Sequence, residues 1–199
     1  MAHPGQKDSF RVRAKEDGYP ARSVYKLKEI QEKYSLIRPG QRILDVGCHP
    51  GSWLRYCSQI VGPEGLVLGL DLKDPTIPLS SNISFLKADL FAVSEEEVRL
   101  WALGVDLVLS DLSPKTCGIK WLDHQRSLDL NRRALELVIL LLKKGGAAVL
   151  KIFEGEGLKS FIQDMKNNFG KLDIHKPKSS RSESPEIYLI GRKFKRLER

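Results

Sequence analysis

The sequence predicts an α/β fold: a mostly parallel seven-stranded sheet with an antiparallel last strand and helices on both faces. Three observations carry that expectation. Short, almost uniformly apolar runs alternate with longer amphipathic stretches, the pattern of strands buried on both faces. Acidic or basic residues recur where those runs end. The last two strand-like runs are separated only by a short polar stretch, too short for a parallel crossover, so they form an antiparallel pair.

In chain order, a basic segment from Lys7 to Lys15 precedes a helix expected from Ser23 to about Tyr34. Arg42 to Val46 reads as the first strand, with a glycine turn at Gly47 to Gly51 and a helix through about Ile60. Leu66 to Leu70 reads as the second strand, ending on Asp71, and Ile83 to Leu86 as the third. Ser94-Glu-Glu-Glu97 is an N-cap followed by an acidic first turn. Val105 to Ser110 is the expected fourth strand. Leu122 to Lys144 holds the longest helix, closed by basic residues and Gly145-Gly146. Ala147 to Lys151 follows as the fifth strand and Gly157 to Phe169 as a helix. Leu172 to His175 and Ile187 to Ile190 complete the sheet.

The 199 residues suit one domain, 1–199, with 1–22 as a basic N-terminal segment. Composition is that of a globular protein, with 41% hydrophobic and 29% charged residues. The formal net charge of +8 permits a polyanionic partner without compelling one. The first residues are polar, without an apolar signal core. The longest apolar stretch, Ala134 to Leu142, falls short of the roughly 20 residues a membrane span needs. Cys48, Cys57 and Cys117 show no paired spacing, so reduced thiols and a cytoplasmic location are expected. His3, His49, His124 and His175 are scattered, and no metal is expected.

In a parallel sheet, ligands sit beyond the carboxyl ends of the strands. Asp71, Asp111 and Lys151 fall at such ends, with Asp89 close after the third. The turn Asp45-Val-Gly-Cys-His-Pro-Gly-Ser-Trp53 has His49 where a dinucleotide fingerprint needs glycine, and it lacks the lysine of a phosphate loop. What it offers is backbone open to close approach, rimmed by acid. At the second strand's end a carboxylate can accept ribose hydroxyls, and Asp89 is placed for an adenine amino group. Such a rim repels pyrophosphate but suits a ligand carrying an ammonium and a sulfonium, namely S-adenosylmethionine. Taken singly, each of these aspartates reads better as a cap or turn residue; their recurrence around one sheet edge is what points to a ligand.

Five stretches together resemble the FtsJ/RrmJ (RlmE) family of ribose 2′-O-methyltransferases. They are Ser23-Val-Tyr-Lys-Leu-Lys-Glu-Ile30, Leu36-Ile-Arg-Pro-Gly40 with Leu44 to Trp53, Ser110-Asp-Leu-Ser-Pro114, Val149 to Gly157, and Ser179 to Tyr188. The resemblance implies a Rossmann-like methyltransferase fold, and S-adenosylmethionine as cofactor. It also implies a catalytic set of Lys26, Asp111, Lys151 and Glu186. Asp45, Gly47, Pro50, Gly51, Trp53, Asp71, Asp89 and Asp111 are then the expected cofactor residues. Cys48, His49, Ser52 and Ser113 depart from the family pattern, leaving His49 either crowding the methionine end of the cofactor or pointing to solvent.

Methyl transfer to a ribose hydroxyl needs in-line approach and help with one proton. Lys151 is the candidate, either as base or as a charged donor orienting the oxygen. Lys26 would position the ribose or a phosphate, and Glu186 would hold a lysine. Taken alone, Lys26 and Glu186 fit a surface ion pair. Lys7, Arg11, Arg13, Lys15, Arg22, Lys26 and Lys28, with Lys176, Lys178 and Arg181, are expected to meet RNA phosphates. Tyr19 and Tyr25 would either stack on a base or pack internally. The family's usual substrate is a uridine of 23S-type ribosomal RNA, so ribosomal RNA or the large subunit is the expected partner. A monomer is expected. Transfer RNA, a messenger cap, or RNA binding without chemistry are the alternatives. A base methyltransferase is disfavoured because Ser110 to Pro114 lacks the Asn/Asp-Pro-Pro-aromatic pattern.

Overall fold

The computed structural model describes residues 9–181 and 183–195. Its element order is α1 (Ser9–Glu16), α2 (Val24–Tyr34), β1 (Arg42–Val46), α3 (Ser52–Val61), β2 (Leu66–Asp71), β3 (Ile83–Lys87), α4 (Glu95–Ala102), β4 (Val105–Ser110), α5 (Lys120–Leu141), β5 (Leu142–Phe153), α6 (Leu158–Asn168), β6 (Phe169–His175) and β7 (Glu186–Phe194). One seven-stranded sheet runs β3-β2-β1-β4-β5-β7-β6. β1 to β5 pair in parallel, and β7 lies antiparallel between β5 and β6.

Two apolar layers sandwich the sheet, because side chains alternate across it. Leu44, Val46, Leu68, Val108, Leu150 and Leu189 face α4, α5 and α6. Ile43, Val67, Leu107, Leu109, Val149 and Ile190 face α2 and α3. The register therefore decides what the second face carries beyond its last apolar row: Asp45 after Ile43, Asp111 after Leu109, Lys151 after Val149. The strand order reverses between β1 and β4, so the loops leaving these strands diverge there and open a crevice.

Two local outcomes differ from expectation. Residues Ser9–Glu16 form a helix, whereas only a basic segment was foreseen. Lys7 and residues 196–199 of the basic tail lie outside the described residues, as does His3. The longest helix stops at Leu141, and Lys143 to Gly146 belong to β5 rather than closing the helix. There the β4–β5 register jumps from Val105↔Leu142 to Leu107↔Ala147, a bulge that the glycine pair accommodates. By contrast Ser94 caps α4 as expected, its hydroxyl accepting from the Glu97 amide at 3.1 Å.

Candidate active site

At the carboxyl edge the sheet register lines up the charged residues. Lys151 is the cross-strand partner of Tyr188, and Phe153 of Glu186. Ser110 pairs with Leu150, so Asp111 lies one step further, beside Lys151. Lys151 is only 5% exposed. Its ammonium lies 3.0 Å from Asp111 Oδ1 and donates to the Asp111 backbone carbonyl at 2.7 Å. Tyr188, wholly buried, donates its hydroxyl to the same Oδ1 at 2.6 Å. Next to this trio, Lys26 from α2 pairs with Glu186 Oε1 at 2.5 Å, both side chains largely buried.

The electrostatics of the cluster are divided. Burial pushes the Asp111 carboxyl up, but Lys151, Lys26 and the hydrogen bonds from Tyr188 and Lys151 outweigh it and hold the group below its ordinary 3.8. Asp45 has no such help. It is 1% exposed, its Oδ2 has no hydrogen-bond partner, and burial, with Asp111 and Asp71 nearby, raises its carboxyl well above the usual range. Burial and the same Asp111 charge raise Tyr188, keeping its hydroxyl a donor. Burying ions costs several kcal/mol each, so a Lys151–Asp111 pair is a poor stability device and its burial points to chemistry instead.

The crevice beside this cluster is a cavity of about 220 Å³. Its walls are apolar (Leu72, Ala88, Phe91, Leu112 and Leu130 among them), with Gly47, Asp71 and Asp89 also on its lining. Gly47 holds φ +79°, and a Cβ there would come 2.3 Å from Leu112 Cδ2, so only glycine lets the turn and the β4 loop close on each other. Asp71 Oδ2 accepts the His49 amide and Oδ1 the Lys73 amide, both at 2.9 Å. Asp89 Oδ1 accepts the Phe91 amide at 2.9 Å. Each carboxylate oxygen has a second lone pair for a ligand.

The expected cofactor residues separate accordingly. Gly47, Asp71 and Asp89 line the cavity, while Asp45 and Asp111 lie on the α2/α3 face of its edge. Pro50 and Gly51 do not line it. They lie beneath residues 75–77, with Thr76 bonded to the Pro50 carbonyl and Ile77 against Gly51. Trp53 packs 6.1 Å from the Tyr188 ring and donates its indole N–H to the Ser23 carbonyl, tying α3 to the start of α2. His49 is exposed and its Nδ1 lies 3.0 Å from the Asp74 carbonyl, on the solvent side of the turn. Ser52, where the family pattern has glycine, bonds both the amide and the carbonyl of Ala21.

Sequence reasoning missed two features. Tyr188, two residues after Glu186 on one strand, lies on the same face as Glu186, a signal present in the sequence spacing. Glu29 was not singled out at all. Its two oxygens accept the amides of Lys178 (2.7 Å) and Ser179 (2.8 Å), and Arg22 donates to the Ser179 carbonyl at 2.5 Å. The loop that delivers Glu186 is thereby clamped to the helix that delivers Lys26. The tyrosines pack inward. Tyr19 bonds Gln59 and Tyr25 bonds Asp17, each at 2.9 Å, with Lys28 over both rings and Arg13 over Tyr25. These cations are stacked on the protein's own aromatics.

The FtsJ-like methyltransferase profile matches residues 19–194, nearly all of the described chain. The chain belongs to that family. It is 46% identical to the ribosomal RNA large subunit methyltransferase E of Desulfatibacillum aliphaticivorans over 93% of this chain and 89% of that one. The protein of the same name from Oleidesulfovibrio alaskensis is 42% identical over 96% and 93%. Among solved structures, a Plasmodium falciparum protein described as a ribosomal RNA methyltransferase superposes with a TM-score of 0.78 at 26% identity, covering 90% of this chain and 100% of that one. Aeropyrum pernix fibrillarin, solved with natively bound S-adenosyl-L-methionine, shares the fold at a TM-score of 0.57 and 18% identity, over 78% and 68%. Within this FtsJ-like chain, no described helix is long and apolar enough to cross a membrane.

Proposed function

We propose that this chain is a single methyltransferase domain that transfers the methyl group of S-adenosylmethionine to a ribose 2′-hydroxyl, most specifically of a uridine in large-subunit ribosomal RNA. The names of its close relatives support the substrate. The observation that carries the reaction is the buried Lys151–Asp111–Tyr188 row, set beside a cavity whose polar lining is acidic.

The cavity fits the cofactor on its own chemistry. Asp71 and Asp89 offer acceptor oxygens for ribose hydroxyls and an adenine amino group, and the apolar walls suit a flat base. Asp45, whose buried Oδ2 has no partner in the cofactor-free chain, would gain one from the cofactor's ammonium or sulfonium. Bound S-adenosylmethionine supplies an already activated methyl group. The chain's part is placement. Two of the three hydrogens on Lys151 Nζ are committed to Asp111, leaving one to hold the 2′-oxygen with a lone pair aimed at the methyl group. In this donor role Lys151 takes up no proton: the oxygen–carbon bond would form as the sulfonium–methyl bond breaks, and the hydroxyl proton would pass to solvent water. Asp111 and Tyr188 keep the ammonium from turning away. Lys26, held by Glu186, steadies the ribose or its phosphate. A cytoplasmic location accords with this substrate.

Labelled methyl transfer to protein-free ribosomal RNA and to isolated large subunits, followed by nucleoside analysis, tests the reading. A 2′-O-methyluridine supports it. Label on a base, or transfer only to transfer RNA, overturns the reaction or the substrate respectively.

A further inference from the structure

At the end of the sheet opposite Lys151 lies a second cavity, about 460 Å³, bordered by the starts of β1, β4, β5 and β6 and the end of β7. Four residue steps of β5 separate Ala147 from Lys151, roughly 13 Å of strand, and this cavity shares no residue with the methyl-transfer edge. Arg38, Lys143, Lys144, Lys171, Arg192 and Lys193 line it, against one acid, Asp106. Lys143 meets Asp106 at 2.9 Å and Arg192 meets Asp173 at 2.5 Å. Among the described residues, Arg38, Lys144, Lys171 and Lys193 have no carboxylate within salt-bridge reach, and all four are exposed.

Two further observations point to a ligand. Arg192 stacks on Tyr34 at 5.4 Å, and its buried Nε has no hydrogen-bond partner. Lys193 is the penultimate residue of β7, beside Gly170 near the start of β6, and has φ +60°, a left-handed conformation that L side chains rarely adopt and that glycine would take without strain. The strained backbone turns a long charged side chain out at the cavity rim.

We propose that this cavity is a second phosphate-binding site for the RNA substrate, holding phosphodiesters of a strand segment remote from the methylated nucleotide. The proposal rests on the reading of RNA as substrate. Four cations without a carboxylate partner, spread over loop and strand ends beside the paired Lys143 and Arg192, exceed what one small anion needs. They match successive phosphates, whose bound counterions are released on binding.

The test is RNA binding without cofactor turnover. A fluorescent large-subunit RNA fragment is titrated by anisotropy across a salt series. Wild type is compared with a triple variant, Lys144→Ala, Lys171→Ala and Lys193→Gly, that leaves every methyl-transfer residue intact. The variant is expected to bind about tenfold more weakly near physiological salt, with the log–log salt slope shallower by about 2–3. Its melting temperature should not fall, and its turnover at saturating RNA should match wild type. Unchanged affinity and slope overturn the proposal. So does a wild-type site that binds inorganic pyrophosphate, and loses it in the variant, while RNA affinity stays the same. A wild type that binds RNA with the steep slope yet methylates none would sink the functional reading and leave this one standing.

Discussion

Tyr188 and Lys151 are cross-strand partners that converge on one oxygen, Oδ1 of Asp111, at 2.6 and 3.0 Å. The antiparallel pairing of β5 with β7 fixes this convergence. A carboxylate held from two sides in a buried setting is pre-organised, and the ammonium it holds cannot drift from the crevice mouth.

Tyr188→Phe removes one hydrogen bond to a charged acceptor while keeping the ring against Trp53. The expected cost is about 2 kcal/mol, or a fall in Tm of roughly 4–8 °C for a chain of this size. Losing this donor also lets the Asp111 carboxyl rise from its depressed position. Thermal melts of both proteins at neutral pH check the first expectation, and an unchanged Tm refutes it.

Asp45 gives a pH signature of the opposite sign to that of a paired carboxylate. Its folded-state carboxyl is raised above the ordinary 3.8, so the folded chain holds its proton more tightly than the unfolded chain. The stability linked to this group is therefore fully present below about pH 4 and falls as pH rises towards the folded value. Asp45→Asn abolishes that fall. In urea melts of the cofactor-free protein from pH 4 to 8, the variant's advantage should grow with pH. A gap independent of pH contradicts the assignment.

Gly47→Ala adds a Cβ 2.3 Å from Leu112 Cδ2, at a backbone angle of +79°. Backbone strain alone costs about 1–2 kcal/mol, and relieving the clash displaces a wall of the cofactor cavity. Calorimetry should find the chain folded but destabilised, with S-adenosylmethionine affinity down at least about tenfold, since 1.4 kcal/mol corresponds to that factor. Wild-type affinity would exclude Gly47 from the cofactor site.

Glu29→Gln keeps one acceptor oxygen of two, so only one of the Lys178 and Ser179 amides stays paired. The loop that carries Lys178 and Arg181 should open more often, and tryptic cleavage there should quicken severalfold while the rest of the chain resists. Equal cleavage rates would show that the clamp does not hold the loop.

The sheet was legible because its strands are short apolar runs with charged ends, and β1 and β4 begin and end where the residues alone put them. The helix ending at Leu141 was misjudged because Lys143 to Gly146 carry helix-stop chemistry, yet here they form the bulge that starts β5. The conformation of α1 was hidden because its stability comes from Phe10 against Tyr25 and cations on aromatic faces, contacts distant in sequence. For the site, Lys151 and Asp111 stood out as charges ending apolar strands. Glu29 did not, because a helix-surface glutamate looks the same whether or not a loop some 150 residues later docks on it.

The most direct test of the account is single-turnover methyl transfer to large-subunit RNA by wild type and by Lys151→Met, with S-adenosylmethionine affinity measured on both. Methionine preserves most of the volume, so folding can be verified separately. Near-equal cofactor affinity is expected, with a rate lower by about 10²–10³ in the variant. A Lys151→Met protein that folds, binds the cofactor and methylates the 2′-oxygen at the wild-type rate would contradict it.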